Sequence, residues 1–350
     1  MKYYNFDVNL TTVWITVNRA CNFRCKWCYA ECSEYKIEDD MSFELAKKIV
    51  NVSIEAGVKH VILIGGEPTM WKHIFDFSDY CHSKSISLGM VTNACLFGDD
   101  TYWNKFLESP FTSVGISVKG ITESQFENVV GSKALYKKTI IGLRRLLNYY
   151  PNSSVSVVYS NIFNYDDILE IAKISHDMGA KMFQLGGCSA TINGECASDE
   201  FMVNREEFVN TIMKIFPTLN KIYDGNVVLE PRLPLCVFPE KFLKKIIVKK
   251  QLQNMCHVQN RSGLVFDNEG FILPCNSMVD VKIGKVGEDF LNGKELLELL
   301  NHEEIREGYK EMLRYPSVEC KHCGYNDFCR GGCIVNWTIL DPEICRRFEE

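Results

Sequence analysis

The chain has 350 residues, of which 46% are hydrophobic and 24% are charged, and its formal net charge is −6. This length suffices for one large domain and a smaller one, and no apolar run is long enough to span a membrane. The acidic balance argues against a nucleic-acid-binding protein, and the N-terminus lacks the apolar segment of a signal peptide. We therefore expect a globular cytoplasmic protein that binds neither membranes nor nucleic acid.

Short β-forming runs alternate with helical stretches over the first two hundred residues. The predicted strands are Thr11–Asn18, Lys59–Ile64, Ser87–Thr92, Ser113–Val118, Val155–Ser160 and Lys181–Leu185. The predicted helices are Ser42–Ala56, with Ser42 as N-cap, His73–Ser83, Asp100–Glu108, Tyr136–Tyr149, Asp166–Met178 and Arg205–Tyr223. Six strands alternating with helices indicate an α/β fold, in which helices wrap a parallel sheet.

The pattern changes after the last of these helices. An irregular connector with two prolines, Glu230–Pro234, is followed by short strands and cysteine-rich loops. A basic run, Lys241–Lys250, is interpreted as the solvated face of an amphipathic helix, with contact to an acidic partner as the alternative. We predict a first domain at residues 1–224, a connector at 225–254 and a cysteine-rich domain at 255–350.

Polar motifs follow the predicted strands. In chain order they contain Cys21, Cys25 and Cys28; Gly65, Gly66, Glu67 and Pro68; Asn93; Ser117 and Lys119; Asn161; and Cys188. Ligands of α/β folds gather at the carboxyl ends of the strands, which lie along one edge of the sheet. We therefore expect these residues to share one site.

Sixteen cysteines is a high number for a chain in a reducing compartment. The chain is too long and too rich in apolar residues to need disulfides for its stability. Clustered cysteines in such a compartment more often bind metal. Cys21, Cys25 and Cys28 lie in one loop, where three thiolates can hold a [4Fe–4S] cluster whose fourth iron stays open, since full ligation takes four cysteines. A zinc site is the alternative.

The spacing of this loop resembles the C-x3-C-x2-C signature of the radical S-adenosylmethionine (SAM) superfamily, and Gly65–Pro68 resembles its GGEP motif. The resemblance implies a partial (β/α)6 TIM-like barrel. It also implies that the open iron binds the methionine part of SAM and that an electron from the cluster then releases a 5′-deoxyadenosyl radical.

Further contacts with SAM are implied by the same resemblance. The family uses polar side chains at later strand ends, which here are Asn93, Ser117, Lys119 and Asn161. Lys119 stands where the family commonly has an acidic residue, so it either pairs with the SAM carboxylate or is a solvated surface lysine. Trp27 and Tyr29 either pack against the cluster or adenine or fill the core.

A second set of cysteines occupies the last third of the chain: Cys256, Cys275, Cys320, Cys323, Cys329, Cys333 and Cys345. All seven resemble the SPASM extension of radical SAM peptide maturases, so the resemblance covers nearly the whole chain. It implies an inner auxiliary [4Fe–4S] cluster on Cys256, Cys275 and Cys333, and an outer one on Cys320, Cys323, Cys329 and Cys345. Paired zinc sites are the alternative.

The predicted inner set has only three thiols. Either its open iron binds a substrate thiolate or Cys236 completes the set. His257 and His322 could also ligate, although a histidine beside a metal-binding cysteine is more often a hydrogen-bonding neighbour. Cys188 is either a hydrogen donor or thiyl relay in the reaction chamber or, like the remaining cysteines, a small buried residue.

These patterns predict an enzyme with SAM, three [4Fe–4S] clusters and a flavodoxin- or ferredoxin-type reductant. It abstracts hydrogen from a peptide or protein and leaves a thioether crosslink, a carbon–carbon crosslink or an oxidation. Only ten residues precede the first predicted strand, so we expect leader recognition to lie in a separate protein or the substrate to lack a leader. The alternatives are a small-molecule or cofactor-precursor substrate and, in another class, a non-catalytic electron-transfer scaffold.

Overall fold

The computed structural model describes residues 7–28, 40–193, 196–254, 256–312, 320 and 322–338. The strands are β1 (Thr12–Thr16), β2 (His60–Ile64), β3 (Ser87–Thr92), β4 (Ser113–Val118), β5 (Ser154–Tyr159), β6 (Met182–Gly187), β7 (Thr191–Asn193), β8 (Cys196–Ser198), β9 (Val227–Glu230), β10 (Gly263–Phe266), β11 (Phe271–Leu273) and β12 (Gly284–Lys285). The helices are α1 (Phe43–Glu55), α2 (Ile74–Ser83), α3 (Asp100–Leu107), α4 (Glu123–Val130), α5 (Tyr136–Tyr149), α6 (Tyr165–Asp177), α7 (Arg205–Ile222), α8 (Glu240–Val248), α9 (His257–Asn260), α10 (Gly293–Asn301), α11 (Glu303–Met312) and α12 (Asn326–Cys329). Among these residues, no helix is both long and apolar enough to cross a membrane.

One large sheet runs through the molecule in the order β12-β11-β10-β1-β2-β3-β4-β5-β6-β9. From β10 through β1 to β9 every pairing is parallel, whereas β10–β11 and β11–β12 are antiparallel. The six predicted strands and the six predicted helices are all present, with ends within two residues of those expected. The predicted α/β fold with a parallel sheet is therefore confirmed.

Burial explains why the central strands form. Val13, Ile15, Val61 and Leu63 on the adjacent strands β1 and β2 are fully buried, and because they alternate along paired strands they lie on one face of the sheet, which packs into the core. The predicted N-cap of α1 is also confirmed, because the Ser42 hydroxyl accepts a hydrogen bond from the backbone of that helix.

Two elements lie within segments that the sequence pattern assigned to loops or to the connector. Helix α4 begins with a capping box in which Thr122 and Gln125 bond each other's backbone. Strand β9 pairs with β6 and so extends the sheet beyond the six predicted strands. Helix α8 confirms the amphipathic interpretation of the basic run, since Leu243 and Ile246 are buried while its lysines are exposed.

The cysteine-rich segment joins the same sheet. Strand β10 pairs in parallel with β1, and Val13 stands opposite Leu264. In addition, Arg19 Nε donates to Asn268 Oδ1 at 3.3 Å in the turn between β10 and β11. The last third of the chain is thus fixed to the beginning of the sheet, and the domain boundaries at 224 and 254 stay a prediction.

We expect Thr122→Ala to lower the free energy of unfolding by about 1 kcal/mol, because it removes the N-cap acceptor of α4. Thr122→Ser keeps the hydroxyl and is expected to stay within a few tenths of a kcal/mol of the parent. Urea-induced unfolding of the three proteins measures the difference. Equal loss in both variants would contradict the capping role.

Candidate active site

A loop directly after β1 carries the three predicted cluster thiols. Cys25 is buried, while Cys21 and Cys28 are half-buried. The backbone N–H of Cys28 donates to the Cys25 carbonyl at 3.0 Å, and that of Lys26 donates to Val129 of α4 at 3.1 Å. The loop is therefore closed into a turn and fixed against α4.

The charges around this loop favour a positively charged occupant. Burial raises the pKa of the Cys21 thiol to about 12; the Phe23 N–H lowers it, and the charges of Glu67, Cys25 and Cys28 raise it further. Thiolates are the metal-binding form of cysteine, and the charges of Cys25 and Cys28 both act on the Cys21 thiol. An iron–sulfur cluster supplies the positive charge that would let all three ionise, so the donor set fits that group. Within the described residues, no three His, Cys, Asp or Glu side chains are spaced to hold a single metal ion.

Two glycines allow the chain before this loop to lie directly on the turn after β2. A Cβ at Gly66 would stand 2.3 Å from the Ala20 carbonyl oxygen, and one at Gly65 would stand 2.4 Å from Asn18 Oδ1. In return, Gly66 donates its N–H to the Asn18 carbonyl at 3.0 Å and Glu67 donates its N–H to Ala20 at 2.8 Å. Protein backbone therefore already requires glycine at both positions, and contacts with SAM stay a prediction.

The Glu67 carboxylate is almost fully buried and joins the ends of β2 and β3. It accepts hydrogen bonds from Thr69 N at 3.3 Å, Thr69 Oγ1 at 2.6 Å, Thr92 Oγ1 at 2.6 Å and Asn93 N at 2.8 Å. Burial raises the pKa of this carboxyl, and the four hydrogen bonds lower it. Pro68, which has no N–H to satisfy, begins the short 3-10 turn that Glu67 caps. The predicted SAM ligand Glu67 is therefore engaged by its own protein.

Asn93 links this network to the cysteine loop. Its Nδ2 donates to Asn22 Oδ1 at 2.8 Å, and its Oδ1 accepts from Cys95 N at 3.0 Å. Asn22, Thr69 and Thr92 are not among the predicted site residues, although Asn22 lies in the cysteine loop, Thr69 in the turn after β2 and Thr92 at the end of β3. The structure thus brings the cysteine loop, the glycine turn and Asn93 together in one assembly.

Three more predicted site residues lie at strand ends of the same sheet: Ser117 and Lys119 at the end of β4, and Cys188 directly after β6. Lys119 is half-buried and its ammonium donates to Ser117 Oγ at 2.8 Å, and it makes no salt bridge with any residue that the structure describes. Burial raises the pKa of the Cys188 thiol to about 11, while the charges of Arg232 and Lys119 lower it. Cys188 therefore faces two cations, and its role as hydrogen donor or relay stays a prediction.

Three of the predicted residues lie apart from this assembly or outside the described chain. Asn161 is exposed, and its side-chain amide donates to the Glu200 carbonyl at 2.6 Å. Tyr29 and Cys345 fall outside the described residues. Trp27 packs edge-on against Phe163, with ring centroids 5.8 Å apart, so its ring contacts a residue that follows β5.

The predicted inner cysteine set also converges. Burial raises the pKa of the Cys275 thiol to about 12, the Ser277 N–H lowers it, and the charges of Cys256 and Cys333 raise it further. The charges of both other thiols thus reach the buried space around Cys275, and this donor set fits the cationic core of an iron–sulfur cluster as the first set does. Backbone contact places this space beside the sheet, since Cys333 N donates to the Arg232 carbonyl at 3.1 Å.

The described cysteines of the predicted outer set are Cys320, Cys323 and Cys329. Cys323 N donates to the Cys320 carbonyl at 3.2 Å, and Cys329 Sγ accepts from Leu235 N at 3.2 Å. This last contact puts the backbone next to Cys236 beside Cys329 of the outer set. The role of Cys236 in completing the inner set stays a prediction. His257 stacks on Trp14 with ring centroids 4.3 Å apart, and burial lowers its pKa to about 4, which keeps the ring neutral.

A surface groove of about 660 Å³ lies apart from these thiols, between α3 and α5. Trp103, Ile140, Arg144 and Tyr149 are among its lining residues. None of the predicted site residues lines it, and so it is not part of the candidate active site.

The first cysteine set lies in the part of the chain that matches a known family. The family model for the Radical SAM superfamily matches residues 15–174. A cysteine-type anaerobic sulfatase-maturating enzyme of Clostridium novyi (strain NT) is 24% identical over 336 residues, which are 90% of this chain and 85% of that protein. A probable GTP 3′,8-cyclase of Metallosphaera sedula is 26% identical over 294 residues, or 82% and 88% of the two chains.

The fold is similar to that of Streptococcus suis SuiB. With its precursor peptide SuiA bound, SuiB gives a TM-score of 0.69 at 17% identity, over 96% of this chain and 74% of that one. With S-adenosylmethionine bound, SuiB gives a TM-score of 0.68 at 18% identity, over 98% and 76%. These matches confirm the predicted partial barrel. The cysteine-rich C-terminal region is consistent with a SPASM domain.

We expect Glu67→Gln to lower the free energy of unfolding by about 1–3 kcal/mol, because one carbonyl oxygen and an amide group cannot accept the four hydrogen bonds made to the carboxylate. Urea-induced unfolding is the measurement. The control is Glu44→Gln on the exposed face of α1, which we expect to stay within about 0.5 kcal/mol. A Glu67→Gln variant of parental stability and weaker SAM binding would instead mean that the carboxylate serves the ligand directly.

Proposed function

We propose that this chain, an enzyme whose residues 15–174 match the family model for the Radical SAM superfamily, modifies a peptide or protein substrate. The product would be a thioether crosslink, a carbon–carbon crosslink or an oxidised residue. With SAM bound, the cluster on Cys21, Cys25 and Cys28 would supply a 5′-deoxyadenosyl radical that abstracts one hydrogen from the substrate. The proposed cofactors are SAM and three [4Fe–4S] clusters, two of them in the C-terminal region.

One observation carries this proposal: both thiol sets contact the carboxyl edge of one parallel sheet. The cysteine loop follows β1, and Cys333 contacts Ser189 after β6 and Arg232 after β9. Since β1, β6 and β9 run parallel, their carboxyl ends lie along the same edge. A substrate held at that edge would lie between the radical source and a second redox centre, as an oxidative modification requires.

The chain's own residues would hold the reactants still. The Glu67 carboxylate fixes the strand ends that support the cysteine loop. The Lys119 ammonium, which no described carboxylate neutralises, would pair with the carboxylate of SAM. The charges of Arg232 and Lys119 both act on the Cys188 thiol, which would meet the bound substrate.

Similarity to two peptide maturases supports a peptide as the substrate. The Streptococcus suis neighbour binds its precursor peptide SuiA, and the Clostridium novyi relative is named as a sulfatase-maturating enzyme. A separate leader-recognition protein and a flavodoxin- or ferredoxin-type reductant belong to the same proposal. We place the enzyme in the cytoplasm, where thiols stay reduced.

A small-molecule substrate is the second hypothesis. It is favoured by the probable GTP 3′,8-cyclase, which aligns with 82% of this chain. Superfamily membership removes the third, non-catalytic scaffold hypothesis.

Mass spectrometry after incubation with SAM and reductant separates the remaining two hypotheses. Loss of hydrogen from a cysteine-containing peptide supports maturation, whereas conversion of GTP without change in any peptide supports the alternative.

We expect replacement of Cys21, Cys25 and Cys28 by alanine to abolish 5′-deoxyadenosine formation and to remove about four irons per chain. The measurements are chromatography of the nucleoside product and iron analysis of anaerobically reconstituted protein. Cys81→Ala, at a buried cysteine of α2, is the control and is expected to keep both iron and product. Continued SAM cleavage by the triple variant would refute the assignment of this site.

We expect Cys275→Ala to retain SAM cleavage and to lose formation of the modified substrate, because it removes a thiol from the inner set but leaves the first set intact. Parallel assays of 5′-deoxyadenosine and of substrate mass test this separation. Full product yield from Cys275→Ala would exclude the inner set from the reaction.

A further inference from the structure

Arg232 is held in an unusual conformation at the boundary between the sheet and the inner cysteine set. Its φ is 57°, in the left-handed region that side chains other than glycine rarely adopt. Its carbonyl accepts hydrogen bonds from Cys333 N at 3.1 Å and from Asn336 Nδ2 at 3.0 Å. Such strain persists where the surrounding structure enforces it, and it concentrates at functional sites.

The Arg232 side chain begins a hydrogen-bonded chain that ends on a predicted cluster thiol. Its Nη1 donates to Ser189 Oγ at 3.0 Å, and Ser189 Oγ lies 3.9 Å from Cys333 Sγ, within reach of a hydrogen bond to sulfur. A hydroxyl has one hydrogen to donate. Because the guanidinium N–H occupies an acceptor position of Oγ, that hydrogen is available to the sulfur.

The Arg232 guanidinium keeps its positive charge although it is partly buried. A guanidinium is not deprotonated in proteins, so Arg232 carries its positive charge here. Glu230 Oε1 accepts from Arg232 Nε at 3.1 Å, which orients the guanidinium so that Nη1 meets Ser189. The Lys119 ammonium adds a second positive charge near Cys188.

We propose that Ser189 donates a hydrogen bond to the Cys333 sulfur and that Arg232 is the positioning residue that orients and polarises it, so that the inner auxiliary cluster has a raised reduction potential. A hydrogen bond to a ligating sulfur and a nearby positive charge both stabilise the reduced, more negative form of an iron–sulfur cluster. The inference rests on the proposed function, because it requires a cluster on Cys256, Cys275 and Cys333.

A raised potential suits this centre to accept an electron. When the substrate radical closes its new bond, one electron leaves it, one proton is released to solvent, and the oxidised inner centre takes up the electron. The hydrogen-bonded chain reaches this centre from the ends of β6 and β9, which border the space where the substrate would lie. The same contacts would thus couple substrate position to electron transfer.

The experiment is a redox titration followed by electron paramagnetic resonance. The full-length chain is used with Cys21, Cys25 and Cys28 replaced by alanine, so that only the C-terminal centres give signals. In this background we expect Ser189→Ala to lower the midpoint potential of one centre by about 59 mV or more, a tenfold change in its reduction equilibrium for one electron. The other centre should not shift, which provides an internal reference.

Matched variants separate the hydrogen bond from a general structural effect. Ser189→Thr keeps the hydroxyl and should keep the parental potential, and Arg232→Gln, which removes the charge, should shift the same centre in the same direction as Ser189→Ala. The control is Arg144→Gln, at an exposed arginine of α5, which should shift neither centre. If Arg232→Gln loses iron, the pair of Ser189 variants still tests the hydrogen bond.

Two outcomes overturn the inference in distinguishable ways. An unshifted potential in Ser189→Ala that retains all its iron would refute the tuning role alone and leave the proposed function untouched. An iron analysis that finds no C-terminal centre in the background protein would refute the inference together with the auxiliary-cluster part of the proposed function.

Discussion

The buried Glu67 carboxylate is the interaction on which the arrangement of the site depends. A charge without partners in the interior of a protein costs several kcal/mol, and this one is stabilised only where Thr69, Thr92 and Asn93 all direct donors toward it. The ends of β2 and β3 are therefore fixed relative to each other. Asn93 then passes this constraint to the cysteine loop through Asn22.

Close backbone contact supplies the second constraint. The segment before the cysteine loop lies against Gly65 and Gly66 with no room for a side chain, and on its other side Arg19 reaches Asn268 in the cysteine-rich region. One short segment is thus held between the turn after β2 and the C-terminal third of the chain. The loop after β1 is consequently fixed both by the sheet and by the region that carries the second cysteine set.

The two cysteine sets share an electrostatic problem and differ in their surroundings. In each, burial and the charges of the two other cysteines raise the pKa of one thiol, Cys21 in the first set and Cys275 in the second, so that ionisation of all three calls for a positively charged occupant. The first set faces the Glu67 carboxylate, whereas the second has the Arg232 guanidinium beside Cys333. Two clusters bound at these places would experience opposite local charges, and their reduction potentials would differ accordingly.

The sequence by itself determined the alternation of the six predicted strands with helices, the α/β fold and the resemblance to the radical SAM superfamily, because these follow from local periodicity and from cysteine spacings along the chain. It also placed the polar motifs at strand ends, where Glu67 and Asn93 indeed meet. Only the tertiary structure decided that the Glu67 carboxylate is engaged by Thr69 and Thr92, and that Ser189 and Arg232 reach Cys333. Apart from the bond between Glu67 and Thr69, these contacts join residues far apart in the chain, and no local pattern encodes which side chains face one another once the sheet has formed.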